Sequence, residues 1–281
     1  MKKSVLIVGA SGTVGSNLVQ ILKAQGHQIT ATTSKEASQK QDGVWQVRVN
    51  LATGEGLKNA FDGIQRVFIL SPAGYADQYA MMSPLIQEAK RRGVEKVVLM
   101  TAMGANAVDT APMRRAEIEL EKSGLNYNII RPNWFLQNFN SFWLHGVLQG
   151  QLALPAGNAK TSFVDTRDVS EVVAKLLIED KFNNQDLDLT GAESVTHEEV
   201  ADMISSVTGK KVVYSDLDPA ILKKTLLSFG LKEDYVDFML LIFGFLKEGY
   251  NARLTDSVEK VLGRKPRTLR EYTIDYKNSW A

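Results

Sequence analysis

Short, almost continuously apolar runs alternate with amphipathic stretches through the first half of the chain. The runs Ser4–Val8, Gln28–Thr33, Val44–Asn50, Arg66–Leu70, Lys96–Thr101 and Asn126–Arg131 are rich in β-branched residues and read as strands buried on both faces. Between the first two, Val14, Leu18, Ile21 and Leu22 share one helical face, and Gly26 follows as a stop. Helical patterns also separate the later strands, near Gly56–Phe61, Tyr75–Arg92 and Pro112–Lys122. Pro84 is expected to kink or restart its helix. Strand, helix, strand at this rhythm predicts a doubly wound α/β fold: a parallel sheet with helices on both faces.

The rhythm changes after Pro132. "WFLQNFNSFWLHGVLQ" is aromatic and helical, "LALPAGNAKTSFVD" reads as a turn and short strand, and "TRDVSEVVAKLLIED" is an amphipathic helix. "DLDLTG" reads as another strand, and Thr196 with Glu199 gives a capping-box signal for the helix that follows. From Pro219 to Tyr250 the pattern is mostly helical. No repeat, low-complexity tract or linker separates independent parts. The expected organisation is a sheet domain over residues 1–150 and a smaller C-terminal α/β lobe over 151–281, interleaved with the first.

The stretch "VGASGTVG" sets Gly9, Gly12 and Gly15 directly between the first strand and the first helix. Glycines weaken a helix start, so bare backbone must be required there. Dinucleotide binding supplies the reason. One glycine permits the tight turn, a second lets the backbone approach a pyrophosphate, and a third lets the helix pack closely on the strand. The candidate phosphate cradle is Gly9, Ser11, Gly12, Thr13, Val14 and Gly15; the alternative is a purely structural turn. Cofactor choice rests on the end of the second strand, where NAD-binding chains usually carry an acid. Here Thr33, Ser34 and Lys35 stand in that place. Hydroxyls and an ammonium suit a 2′-phosphate, which a carboxylate would repel. NADP(H) is therefore expected over NAD(H), unless Lys35 is simply solvated in its loop.

Composition removes several other classes. The 281 residues are 44% hydrophobic and 23% charged, with a net charge of +1 from 33 basic and 32 acidic side chains, and no basic stripe favours nucleic acid. The absence of cysteine excludes disulfides, thiolate catalysis and cysteine-ligated zinc. The opening "MKKSVLIVGASG" has too short an apolar run for a signal peptide, and "YVDFMLLIFGFL" is far below the roughly 20 residues of a membrane span. That stretch reads as a buried helix or part of a lid, and the expected location is cytoplasmic.

Several blocks, in order along nearly the whole chain, resemble the NmrA-like, atypical branch of the short-chain dehydrogenase/reductase superfamily. They are "GASGTVG", "NLATGEGLKNAFDGIQRVFILSP", "KVVLMTAMGA", "EIELEKSGLNYNIIRPNWFLQNF", "SFVDTRDVSEVVAKLL", "LTGAESVTHEEVADMISSVTGKKVVY" and "GRKPRTLREY". The resemblance implies a Rossmann-type domain that binds NAD(P) and a small C-terminal substrate lobe. It places Asn50 and Leu51 on the adenine side, where many relatives have Asp-Leu. Leu70, Ser71 and Pro72 would line the ribose and nicotinamide side, Thr101 would end the strand beyond them, and Pro132, Asn133, Trp134 and Phe135 would close over the nicotinamide. Triphenylmethane reductases and NAD(P)H:quinone oxidoreductases belong to this branch.

Two departures matter. Ordinary members of the superfamily use a Tyr-x-x-x-Lys pair, and none of the eight tyrosines here has a lysine four residues on. Some atypical reductases carry a Lys or His four residues before the Glu of "AEIELEKSGL"; here that residue is Met113, which cannot donate a proton. Arg114 and Arg115 beside it read as solvated helix charges. His27, His145 and His197 are scattered without metal spacing, and Asp165 and Asp168 sit at a helix start where capping is their expected work. No nucleophile elbow or P-loop is present. Trp134, Phe135, Phe139, Phe142 and Trp143 cluster where core packing or a flat substrate would use them. These features favour an NADPH-dependent reductase of a small, flat electrophile such as a quinone, dye, enone or iminium. The rival is a non-catalytic NADP(H)-binding redox sensor that docks a partner protein, and a homodimer is open to either.

Overall fold

The computed structural model describes residues 2–35 and 38–280. In chain order the first elements are β1 (Ser4–Ile7), α1 (Thr13–Ala24), β2 (Gln28–Thr33), β3 (Ser38–Gln41) and β4 (Val44–Arg48). Then come α2 (Leu57–Ala60), β5 (Arg66–Leu70), α3 (Gln78–Arg92), β6 (Lys96–Met100), α4 (Pro112–Glu121) and β7 (Asn126–Pro132). The rest are α5 (Leu144–Leu148), β8 (Gln151–Leu154), α6 (Thr166–Ile178), β9 (Gln185–Leu189), α7 (His197–Thr208), β10 (Val213–Asp216), α8 (Pro219–Ser228), α9 (Glu233–Lys247), α10 (Ser257–Leu262) and α11 (Leu269–Tyr276).

The chain forms two compact units, residues 1–132 with 169–188, and residues 133–168 with 189–281. The chain first passes from one unit to the other after Pro132. The reason is the aromatic segment that follows: Leu136, Phe139, Trp143 and Val147 are buried in the second unit's core.

The first unit is built on a sheet of order β3-β4-β2-β1-β5-β6-β7-β9. β4, β2, β1, β5, β6 and β7 pair in parallel, as doubly wound α/β chains do. Strand order reverses beside β1: the chain passes first to β2 and later to β5 on the other side. Val5, Leu6 and Ile7 of β1, Phe68 of β5 and Val98 of β6 are fully buried, which explains why these runs lack alternation. β3 was not foreseen. It is a polar run, Ser-Gln-Lys-Gln, paired antiparallel to β4 at the sheet edge, and so carries no apolar signal. α3 runs as one helix through Pro84, so the helix does not restart there. A helix-interior proline costs about 3 kcal/mol. Met82, Leu85 and Ile86 are buried around it, and each contributes about 1.5–3 kcal/mol, so packing wins.

The second unit pairs β8 with β10 in parallel and packs α7, α8, α9 and α11 around Phe139, Phe163, Ile204, Phe243 and Tyr272. Thr196 and Glu199 form the expected capping box, and Thr268 and Glu271 form a second. The apolar stretch read as a buried helix or part of a lid is α9, which buries Val236, Met239, Phe243 and Leu246 and leaves Leu241 and Phe245 exposed. Among the described residues no helix is long and apolar enough to cross a membrane.

Candidate functional site

The three glycines of the turn after β1 do three different things. Gly9 has φ +73°, which L side chains rarely adopt, and a Cβ there would lie 2.9 Å from Leu70 Cδ1. Gly15 is buried where α1 crosses the turn: its Cβ would meet Gly9 O at 2.2 Å and Ala10 Cα at 2.8 Å. Gly12 is the N-cap of α1 at φ −78°, and a Cβ there would meet only Gly9 O, at 3.4 Å. Ser11, Gly12 and Thr13 are exposed, no side chain caps the helix, and its first turn carries no acid. An uncapped helix start with free N–H groups and bare backbone is chemically able to receive an anion. Val14 is buried behind it. The turn is anchored from β2, where Thr32 Oγ1 accepts the Gly9 N–H at 3.3 Å, a contact that no local pattern singles out.

At the end of β2, Thr33 is half-buried while Ser34 and Lys35 are exposed, and the Lys35 N–H donates to Thr33 Oγ1 at 3.1 Å. The Lys35 side chain therefore projects from a side-chain-stabilised turn. Asn50 builds its own turn: its Oδ1 accepts from the N–H of Ala52 at 3.0 Å and of Thr53 at 3.3 Å. Leu51 packs against the sheet's apolar cluster. Leu70 ends β5 against Gly9, and Ser71 Oγ donates to the Pro72 carbonyl at 3.2 Å.

Thr101 follows β6 and is buried, with its hydroxyl donating to Glu117 Oε1 at 2.6 Å. Glu117 lies on the inward face of α4 and is fully buried. Arg131 of β7 grips it with Nε on Oε1 at 2.8 Å and Nη2 on Oε2 at 2.9 Å, and Arg114 Nη1 adds a bond to Oε2 at 3.0 Å. Arg131 also reaches Asp186 at 2.5 Å, and Arg114 reaches Glu121 at 2.6 Å. Arg114 is thus part of a buried network, not a solvated helix charge, and Arg115 stacks over the Tyr79 ring at 3.9 Å. Met113 packs against the sheet's apolar cluster. The network had one visible trace: Glu117 breaks the apolar face that Ala116 and Leu120 continue.

The remaining candidates are described within the second unit, apart from Pro132, which ends β7. Asn133 is buried and its carboxamide is fully used: Nδ2 donates to Ser162 Oγ and the Asn251 carbonyl, both at 2.8 Å, and Oδ1 accepts from Trp134 N and Asn251 Nδ2. Trp134 packs on Trp143 and Phe243, with ring centroids 6.0 and 5.1 Å away. Phe135 bridges to Val164. Asp165 caps as expected, accepting the Arg167 N–H at 2.8 Å. Asp168 instead pairs with Arg264 and Arg267 of the closing basic segment. Among the described residues no group of His, Asp and Glu could hold a metal.

The model of the NmrA-like family matches residues 1–274. The chain belongs to the NmrA-like family. An NAD(P)H azoreductase of Xenophilus azovorans is 28% identical over 275 residues, spanning 95% of this chain and 96% of that relative. An uncharacterized oxidoreductase, YesF, of Bacillus subtilis is 26% identical, spanning 98% and 96%. The structure of Citrobacter sp. triphenylmethane reductase complexed with NADP(H) superposes with a TM-score of 0.81 at 21% identity, covering 98% of this chain and 99% of that one, and so shares its fold. Within the NmrA-like fold, the glycine turn, the β2 end and the β5 end all meet at the carboxyl edge of the parallel sheet beside the strand-order reversal, where such folds bind ligands.

Proposed function

We propose that this NmrA-like protein is an NADPH-dependent oxidoreductase that reduces small, flat electrophiles such as quinones, dyes, enones or iminium ions. The observation that carries this is Gly12, exposed at an uncapped helix start where no side chain stands in front of the helix N–H groups. The cradle of Gly9, Ser11, Gly12, Thr13, Val14 and Gly15 fits a dinucleotide: the first turn of α1, Thr13, Val14 and Gly15, offers N–H groups to the pyrophosphate beside the exposed Ser11 and Gly12, while the Gly9 and Gly12 N–H groups hold the turn itself by donating to Thr32 Oγ1 and Gly9 O. Thr33, Ser34 and Lys35 hold the 2′-phosphate, Asn50 and Leu51 flank the adenine, and Leu70, Ser71 and Pro72 line the path of the second ribose. The name of the azoreductase relative supports NAD(P)H as the donor.

When bound, the reduced nicotinamide supplies a hydride. The protein's part is to bind, orient and exclude water. It supplies no acid at the position of Met113, whose partly buried side chain packs against the sheet's apolar cluster. A simple ketone needs prompt protonation of its oxygen, and a positioned acid typically contributes a hundredfold or more. Quinones spread the new charge over a ring, and iminium ions lose theirs, so water can complete the reaction later. The same missing acid also supports a second reading, an NADP(H)-binding sensor without turnover. Following NADPH absorbance against a panel of quinones, dyes and enones separates the two: consumption is expected, and tight binding with no consumption by any member makes the protein a sensor.

A further inference from the structure

Thr101 has an unusual constraint for a hydroxyl at the ligand edge of the sheet. A threonine hydroxyl has one proton to give and two lone pairs to accept with. Here the proton is committed to Glu117 Oε1 at 2.6 Å, inside a buried network. Glu117 cannot turn away, because Arg131 holds both its oxygens and Arg114 holds one. Rotating the hydroxyl outward would break a charge-assisted bond in a water-poor site. Only lone pairs remain for a ligand. We propose that Thr101 is an obligate hydrogen-bond acceptor that selects the carboxamide N–H of the nicotinamide, with Glu117 as the positioning residue that fixes its polarity.

This rests on the NADPH reading above. With the 2′-phosphate at the end of β2, the nicotinamide half falls on the other side of the strand-order reversal, over the ends of β5 and β6. Adjacent strands are about 4.8 Å apart, so the end of β6 lies roughly 10 Å along the edge from the glycine turn, about half a dinucleotide away. Of the groups on the nicotinamide ring, only the carboxamide carries N–H donors. The same polarity denies Thr101 any role as proton donor to a substrate oxygen, which agrees with a site that favours acceptors needing no prompt protonation.

The test compares calorimetric binding of NADP+ with that of its 3-acetylpyridine analogue, which keeps the ring carbonyl but replaces the amide nitrogen by a methyl group. The unmodified protein is expected to prefer NADP+ by roughly three- to tenfold, the worth of one hydrogen bond. Thr101→Val should bring the ratio close to one, Thr101→Ser should keep it, and Glu117→Gln, which frees the hydroxyl proton, should narrow it. A general loss of packing would weaken both ligands alike and leave the ratio unmoved. An unchanged ratio in Thr101→Val, or in Thr101→Ala should the valine variant not fold, overturns the inference while leaving the NADPH reading intact. Binding of neither nucleotide by the unmodified protein overturns both.

Discussion

His197 gives the sharpest quantitative prediction about stability. Its imidazole is fully buried in the second unit among the rings of Phe139, Trp143, Phe163 and Tyr214, with centroids 6.1, 6.0, 5.2 and 5.8 Å away. Neither ring nitrogen has a hydrogen-bond partner in the protein. Burial pushes its pKa down from 6.5 to about 4, because a charged ring there would have no water and no counter-charge. The unfolded chain takes up the proton near pH 6.5, whereas the native state refuses it until about pH 4. Stability from this residue is therefore complete above about pH 6.5 and is lost as the pH falls to about 4. At 1.36 kcal/mol per pH unit, the loss is about 3 kcal/mol. Urea unfolding at pH 7, 6, 5 and 4 should show it, and His197→Phe should flatten the curve by about that amount. Carboxylates that titrate in the same window are common to both proteins and cancel in the comparison. Equal losses of stability in the two proteins would refute this account of the buried ring.

The glycine turn predicts opposite phenotypes for neighbouring substitutions. Gly12→Val should keep its circular dichroism and melting temperature but lose NADPH binding, whereas Gly15→Val should fail to fold, because its Cβ would lie 2.2 Å from Gly9 O; a folded Gly12→Val variant that binds NADPH normally would make the turn merely structural. Lys35→Glu should narrow or invert a preference for NADPH over NADH by around tenfold, the worth of one charge-assisted contact, and equal dissociation constants for the two cofactors in the unmodified protein would remove the role given to Lys35.

What the sequence made legible was what is local. Gly9, Gly12 and Gly15 announce a turn because their spacing joins a strand to a helix, and the structure gives each different surroundings: a positive φ at Gly9, an exposed position at Gly12 and close packing at Gly15. The parallel strands were legible because burial on both faces demands unbroken apolar runs. What escaped depends on partners far away in the chain. Arg131 meets Glu117 across 14 residues and Asn133 meets Asn251 across 118, and no periodicity encodes such pairs. β3 is polar and local pattern cannot find it. The continuity of α3 through Pro84 is decided by the core it packs against, which overrides the propensity of one residue.

The central claim is an NADPH-fed site that supplies no proton of its own. Its most direct measurement is the initial rate of NADPH oxidation with a quinone and with a simple ketone of similar size, under identical conditions. The account predicts measurable turnover of the quinone and a rate at least a hundredfold lower for the ketone. Faster reduction of the ketone than of the quinone would contradict it, because an acid that neither Met113 nor Thr101 can provide would have to be at work.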